Sequence, residues 1–387
     1  MLRLQVKYLS FFFGLISILS FFNIIYSYYL NLYLNLETYY VSLITSSIIA
    51  IIFYNIKVYK KKLTIFEKIL TVFTGYILIS LILSIPFYLS IYNLTFLNSF
   101  FESVSGFTST GFTIFDNIKN IDQSLILWRS SSQWIGGLYF LFSIITLLDV
   151  FDNNLKKSLT NFLSFNKSET LKQSLKIFIL YFLLTFILFI IFKIFDFRTF
   201  ISFNLAMTLI SSGGFLPVNE LSTVLNTDIK EIIFSLSMLV SFFSIFLSYN
   251  LLFFKSKNIN FFQEDIYLLF YFLFLLFVFL IFFNFDYNFS IILLSLTSSI
   301  SNIGFSLEKS PSNLSFIFLI LVIIGGSFFS TSSGIRFLKL YTLFKFSIND
   351  LISHVRPKNI FVNKHFYLDI SVKREVVNKY FLSLIIF

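Results

Sequence analysis

Three segments of one design set the reading of this chain: NSFFESVSGFTSTGFTIFD (98–116), FNLAMTLISSGGFLPVNE (203–220) and LLSLTSSISNIGFSLEKS (293–310). Each opens with about two turns of apolar, helix-compatible sequence. Each then runs through a Ser/Thr-rich stretch to a Gly-Phe pair and closes on polar residues with an acid. The pairs are Gly111-Phe112, Gly214-Phe215 and Gly304-Phe305, so the glycines stand 103 and 90 residues apart. A spacing of about 100 residues, with a long apolar run on either side of each segment, indicates an internal repeat.

The apolar runs lie near 8–30, 39–56, 69–92, 128–150, 174–195, 231–254, 265–284 and 314–345, and a ninth opens near 380. About 20 apolar residues cross a hydrocarbon core of about 30 Å. The runs therefore predict eight membrane helices and a stub. Composition agrees: of 387 residues, 57% are hydrophobic and 12% charged, with a mean hydropathy of +0.86. A soluble globule of this length needs about twice that charge, and 59 Phe with 21 Tyr exclude a disordered chain. The fold class expected is an all-α polytopic membrane protein of repeated helix–P-loop–helix units around a pore, preceded by a two-helix hairpin. The first run has no small-residue cleavage site and reads as an anchor helix.

No cysteine is present, which excludes disulfides, thiolate metal sites and Cys nucleophiles. The two histidines, His354 and His365, sit in a basic tail without a spaced acid, so no transition-metal site is expected. There is no nucleophile elbow and no phosphate-binding loop. The chain is not expected to be an enzyme, and no residue is assigned a catalytic role.

Basic residues give the orientation. With the N-terminus cytoplasmic and the runs alternating, most of the 29 Lys and Arg fall on one side: Arg3 and Lys7, then the clusters at 57–68, 156–176, 255–257 and 336–379. That is a positive-inside pattern. The net charge of +10 thus reports topology and calls for no nucleic-acid partner. The three Gly-Phe segments then face the non-cytoplasmic side of a bacterial inner membrane.

Non-helical backbone at membrane depth is tolerated only inside protein or along a water-filled cavity. A short helix dipping in, followed by extended chain climbing out, places bare carbonyls around an axis, and rings of carbonyls can replace the hydration shell of an alkali cation. Neighbouring hydroxyls (Thr108, Ser109, Thr110, Ser211, Ser212, Ser299, Ser301) are expected to take up the amides left over.

With these residues in view, the chain resembles the Trk/Ktr/HKT superfamily of potassium transporters, and most closely its TrkH-type membrane subunit. FESVSGFTSTGFT (101–113) looks like the first filter loop of that family, and SSGGF (211–215) like the second. WRSSSQWIGGL (128–138) matches its Trp-Arg-Ser…Gln-Trp-Ile-Gly-Gly signature. IGGSFFSTSSGIRFLKLYTLFK (324–345) resembles the small-residue break in the second helix of the third repeat. The resemblance implies uptake of K+ or another monovalent cation through backbone carbonyls of Thr110, Gly111, Gly213, Gly214, Ile303 and Gly304. It implies a gate at Gly325, Gly326, Ser330, Thr331, Ser332, Ser333 and Gly334. It also implies no bound cofactor, a homodimer, and a cytoplasmic nucleotide-binding regulatory subunit of the TrkA type. The layout expected is a hairpin (1–60), pore repeats at 61–152, 153–257 and 258–350, and a cytoplasmic linker with an incomplete fourth repeat (351–387).

Three departures from the family pattern stand out. Extrapolating the repeat places a fourth filter glycine beyond the last residue, so the chain is expected to lack a quarter of the pore wall; a non-conducting truncated or accessory protein is the alternative to a working transporter. In the helix break, Phe329 and Ser333 occupy positions where the family usually has glycine, which opposes movement of a gate; close helix packing is the other use of such small residues. In the third filter, Asn302-Ile303 replaces the usual hydroxyl residues, which leaves a sodium-permeable transporter of the same fold as a further alternative.

Four acids lie near the filter glycines on the outer side: Glu102, Asp116, Glu220 and Glu308. They either concentrate cations at the mouth or are solvated loop charges. Glu102 differs, because an ionised group in an apolar half-helix needs a partner; Arg129 is the candidate. The basic segments at 151–177 and 345–379 serve either to dock the regulatory subunit or only to orient the chain.

Overall fold

The computed structural model describes residues 6–56, 64–151, 170–245, 247, 262–283, 288–307, 315–355, 364–365, 368–371 and 374–386. The elements in order are α1 (Val6–Tyr29), α2 (Leu36–Asn55), α3 (Ile65–Leu83), α4 (Ile85–Tyr88), α5 (Phe96–Phe107), α6 (Gln123–Phe151), α7 (Thr170–Ile194) and α8 (Thr199–Ile210). There follow α9 (Asp228–Phe242), α10 (Phe262–Phe283), α11 (Phe289–Ser301), α12 (Ser315–Ile324), α13 (Phe337–Val355), a ribbon of β1 (Lys364–His365) and β2 (Leu368–Ser371), and α14 (Arg374–Ile386). Two compact units are formed: Met1–Leu147 with Thr185–Val224, and Leu148–Leu184 with Leu225–Phe387.

The protein is an all-α polytopic membrane protein. Five helices among the described residues are long and apolar enough to cross a membrane: Lys7–Tyr29, Leu36–Asn55, Ile65–Tyr88, Leu175–Ile194 and Glu264–Phe282. Some apolar runs are interrupted rather than straight. The run at 69–92 breaks at Ser84, and Pro86 opens the short α4, since proline fits the first turn of a helix but not its interior. In the run at 231–254, α9 ends at Phe242 and the chain turns at Phe243-Ser244, and the run at 314–345 divides into α12 and α13. The ribbon β1–β2 was not foreshadowed; its strands are too short for a period-two pattern to register.

In the first unit α1 and α2 form a hairpin whose contact is made by small hydroxyl residues, with Ser20 and Ser42 3.1 Å apart and Ser17 and Ser47 2.7 Å apart. Small residues let two membrane helices approach closely, and the hydroxyls bond across the gap. The hairpin is tied to the start of α6: Asn23 donates to the Ser124 carbonyl at 3.1 Å, and the Tyr39 and Ser124 hydroxyls lie 2.9 Å apart. Tyr139 of α6 is fully buried between Phe12, Tyr76 and Phe107, and its hydroxyl donates to the Val72 carbonyl at 2.9 Å. In the second unit the core is Phe242, Leu268, Leu296 and Phe279, from α9, α10 and α11. Large apolar side chains such as Phe274 remain exposed at 64%, as a lipid-facing surface requires.

Candidate ion-conducting filter and helix break

The three Gly-Phe segments share one backbone design. Each is a helix of 12 or 13 residues (α5, α8, α11) that ends on a residue in the left-handed region: Ser109 (φ 55°), Ser212 (φ 55°) and Asn302 (φ 59°). Each end carries the same pair of backbone bonds. Thr110 N–H reaches Ser105 O at 2.9 Å, Gly213 N–H reaches Thr208 O at 2.8 Å, and Ile303 N–H reaches Ser298 O at 3.2 Å. The shorter bonds run from Ser109 to Gly106, Ser212 to Leu209 and Asn302 to Ser299. This is a Schellman cap, which satisfies the last helical carbonyls and turns the chain sharply out of the helix. Two residues past each left-handed position stands Gly111, Gly214 or Gly304.

Four of the seven hydroxyls do not act as expected. Thr108, Ser211, Ser299 and Ser301 donate to carbonyls one turn back, at Val104, Met207, Ser295 and Thr297. Other side chains serve the backbone around the glycines. Ser105 and Thr208, at matching places in α5 and α8, donate their hydroxyls to the carbonyls of Phe112 and Phe215. Gln133 of α6 serves the second segment: with its amide oriented by its surroundings, its oxygen accepts from Gly214 N–H and Phe215 N–H at 3.1 Å each, and its nitrogen donates to the Thr208 hydroxyl at 3.2 Å. Gln133 was visible in the signature, but nothing in the sequence told what it touches.

The first two Gly-Phe segments meet directly. Gly111 has φ +84°, and a Cβ there would lie 2.7 Å from the Gly214 Cα. Both the left-handed conformation and the contact exclude a side chain. Helix α6 backs this pair closely, since a Cβ on Gly136 would overlap the Phe107 carbonyl oxygen at the end of α5.

Glu102 and Arg129 form the buried pair anticipated, with Nε–Oε1 at 2.8 Å and side-chain exposures of 0% and 1%, respectively. Glu102 also accepts from the Thr113 hydroxyl at 3.0 Å and the Ile114 amide at 3.0 Å, and Arg129 Nη2 donates to Thr113 at 2.9 Å. The guanidinium lies 4.2 Å over the Phe215 ring, where its charge meets the negative face of the ring. One ion pair thus braces the chain that follows Gly111 and touches the aromatic residue after Gly214. Asp116 and Glu220 are exposed, and Glu308 lies outside the described residues. The loops behind the first two filters are joined by Asn219, which donates to Asn117 at 2.7 Å and accepts from Ile118 N–H at 2.7 Å.

In the second unit, residues 325–336 are non-helical between α12 and α13. The loop has a narrow neck: Gly325 (φ +64°) and Gly334 (φ +88°) abut, and a Cβ on Gly334 would lie 2.8 Å from the Gly325 Cα. Ile335 N–H to Ile323 O (2.9 Å) and Phe337 N–H to Gly326 O (3.1 Å) close it. Three further backbone bonds pin the loop to the end of α9: Ser327 to Phe242, Ser332 to Ser241, and Ile245 to Phe329. Phe329 is buried, with its ring edge-on to Phe328 at 5.1 Å. Ser330 and Ser332 hydroxyls lie 2.8 Å apart inside the loop. Thr331 also lies in the loop, at intermediate exposure. Glu264, fully buried in the first turn of α10, accepts from Phe328 N–H and the Ser327 hydroxyl at 3.0 Å each. Arg336 donates to the Ser327 carbonyl at 3.0 Å and Ser330 at 2.9 Å. Asp265 accepts from Ser244 N–H at 2.9 Å. An acid pair heading a 22-residue apolar helix was the available signal for Glu264 and Asp265, and it went unused.

The TrkH family model, described as a cation transport protein, matches residues 40–218, which contain the first two filter segments and the Trp-Arg-Ser signature. The crystal structure of the potassium transporter TrkH from Vibrio parahaemolyticus aligns with a TM-score of 0.80 at 18% identity, covering 98% of this chain and 81% of that one. The chain shares the fold of that transporter and is similar to the TrkH family over residues 40–218. An uncharacterized cation transporter of Methanocaldococcus jannaschii is 25% identical over 307 residues, 75% of this chain and 61% of its own length. The Trk system potassium uptake protein TrkI of Halomonas elongata is 38% identical over 74 residues, 19% of this chain and 15% of its own. The chain therefore spans less than two thirds of the length of these curated relatives.

Proposed function

We propose that this chain carries K+ or a closely related monovalent cation across the inner membrane through carbonyls of Thr110, Gly111, Gly213, Gly214, Ile303 and Gly304, with residues 325–336 as the gate. The observation that carries this reading is the threefold recurrence of a Schellman-capped half-helix followed two residues later by glycine, at Ser109/Gly111, Ser212/Gly214 and Asn302/Gly304. Such a design exposes consecutive carbonyls without a side chain in the way. The names of the Trk relatives support potassium as the ion. By the same likeness the chain works as a homodimer with a TrkA-type regulatory subunit, its N-terminus in the cytoplasm, and its basic segments are the docking surface.

The test is rubidium uptake by a host deficient in potassium transport, with sodium uptake measured beside it. Selective rubidium uptake that falls at least tenfold in Gly111→Ser, with membrane abundance retained, supports the reading. Equal rubidium and sodium uptake favours the sodium-permeable alternative. No uptake above the empty host, or uptake unaffected by Gly111→Ser, overturns the assignment of these carbonyls.

A further inference from the structure

Two of the residues that depart from the family pattern touch one another. Asn302, the left-handed residue at the base of the third filter segment, donates through Nδ2 to the Ser333 hydroxyl at 2.6 Å and to the Val322 carbonyl at 3.1 Å. Val322 is in the last turn of α12, on the way into the helix break, and Ser333 is on the way out. A single NH2 group therefore bonds both limbs of the loop. We infer that Asn302 is a staple across the neck of the 325–336 loop, and that it holds the loop shut from the base of the third filter.

Stability of the helix end does not explain an asparagine here. Glycine is the residue best suited to a left-handed cap. The Asn302 Oδ1 is buried without a hydrogen-bond partner among the described residues, which is a cost. What the side chain offers in return is its reach to the two limbs. The same contact gives a use to Ser333, where glycine would have left the limb free. Ile303 and Gly304, the proposed ion ligands, follow Asn302 directly, so movement of the loop cannot leave this end of the third filter untouched. Asn302 is thus a positioning residue for both parts.

This inference rests on the gate reading of 325–336, but its test does not require transport. The full chain in lipid nanodiscs is compared by amide hydrogen exchange for wild type, Asn302→Gly, Ser333→Ala and the double variant. Asn302→Gly keeps the left-handed cap and Ser333→Ala adds no backbone freedom, so both are expected to fold. Each single variant is expected to speed exchange in 325–336 about fivefold, as losing one hydrogen bond implies. Exchange in 289–301 stays unchanged, and the double variant goes no faster than the faster single one. Unchanged exchange in either single variant, effects that multiply in the double, or equal acceleration in 289–301 overturns the staple. A wild type that carries no rubidium would defeat the proposed function while leaving this result legible.

Discussion

Replacing Glu102 with Gln perturbs the ion pair behind the first filter while leaving the side chain nearly the same shape. The carboxylate accepts three bonds, from Arg129, Thr113 and Ile114, in a site where neither charged side chain is more than 1% exposed. A carboxamide keeps one acceptor oxygen and turns an NH2 group toward a donor. The Arg129 charge is then left with the Phe215 face at 4.2 Å and no counter-ion from Glu102. Removing one member of a buried pair costs about 3–5 kcal/mol. At about 1.4 kcal/mol per decade, the folded-to-unfolded ratio should fall by roughly two to three and a half orders of magnitude. Replacing both members removes the stranded charge, so Glu102→Gln/Arg129→Met should recover at least half of the loss. The two tryptophans of the chain, Trp128 and Trp134, are buried on α6, the first next to Arg129 in sequence, so their fluorescence follows loss of structure around α6 during denaturant unfolding in mild detergent. A single variant within about 0.5 kcal/mol of wild type, the scatter of ordinary surface changes, would refute the reasoning. So would a double variant as unstable as the single one.

Gly136→Ala should lower thermal stability sharply, since its Cβ overlaps the backbone carbonyl of Phe107; about 1–3 kcal/mol is the ordinary cost of such overpacking. Gly14→Ala, whose Cβ meets nothing within 4 Å, should be neutral or stabilise by up to about 1 kcal/mol, and matching unfolding midpoints for the two variants would contradict the packing described. Gln133→Leu leaves the Gly214 and Phe215 amides without their acceptor, at about 1–3 kcal/mol for each buried group; rubidium-over-sodium preference should drop even where protein abundance is held, and an unchanged preference would remove Gln133 from the support of the second filter.

Much of this protein is decided by local sequence. Apolar runs and the recurring Gly-Phe segments name a membrane protein with a repeated half-helix design, because lipid admits few backbone solutions and each has a strong compositional signature. Glu102 with Arg129 was also legible, since a charge inside an apolar half-helix demands a nearby partner. Other features depend on which surfaces meet, and neighbours in space leave no mark on spacing. Thr108, Ser211, Ser299 and Ser301 looked like partners for loose amides, yet they bond backward along their own helices, and Gln133 from α6 supplies the second segment instead. The break at 325–336 was readable as a gap in a helix. Only the packing of α9, α10 and α11 decides that it is tied down by Phe242, Glu264 and Asn302. Hydrophobic periodicity specifies where a helix lies and which side it buries; the partners of a buried polar atom are set by the close-packed assembly of distant segments.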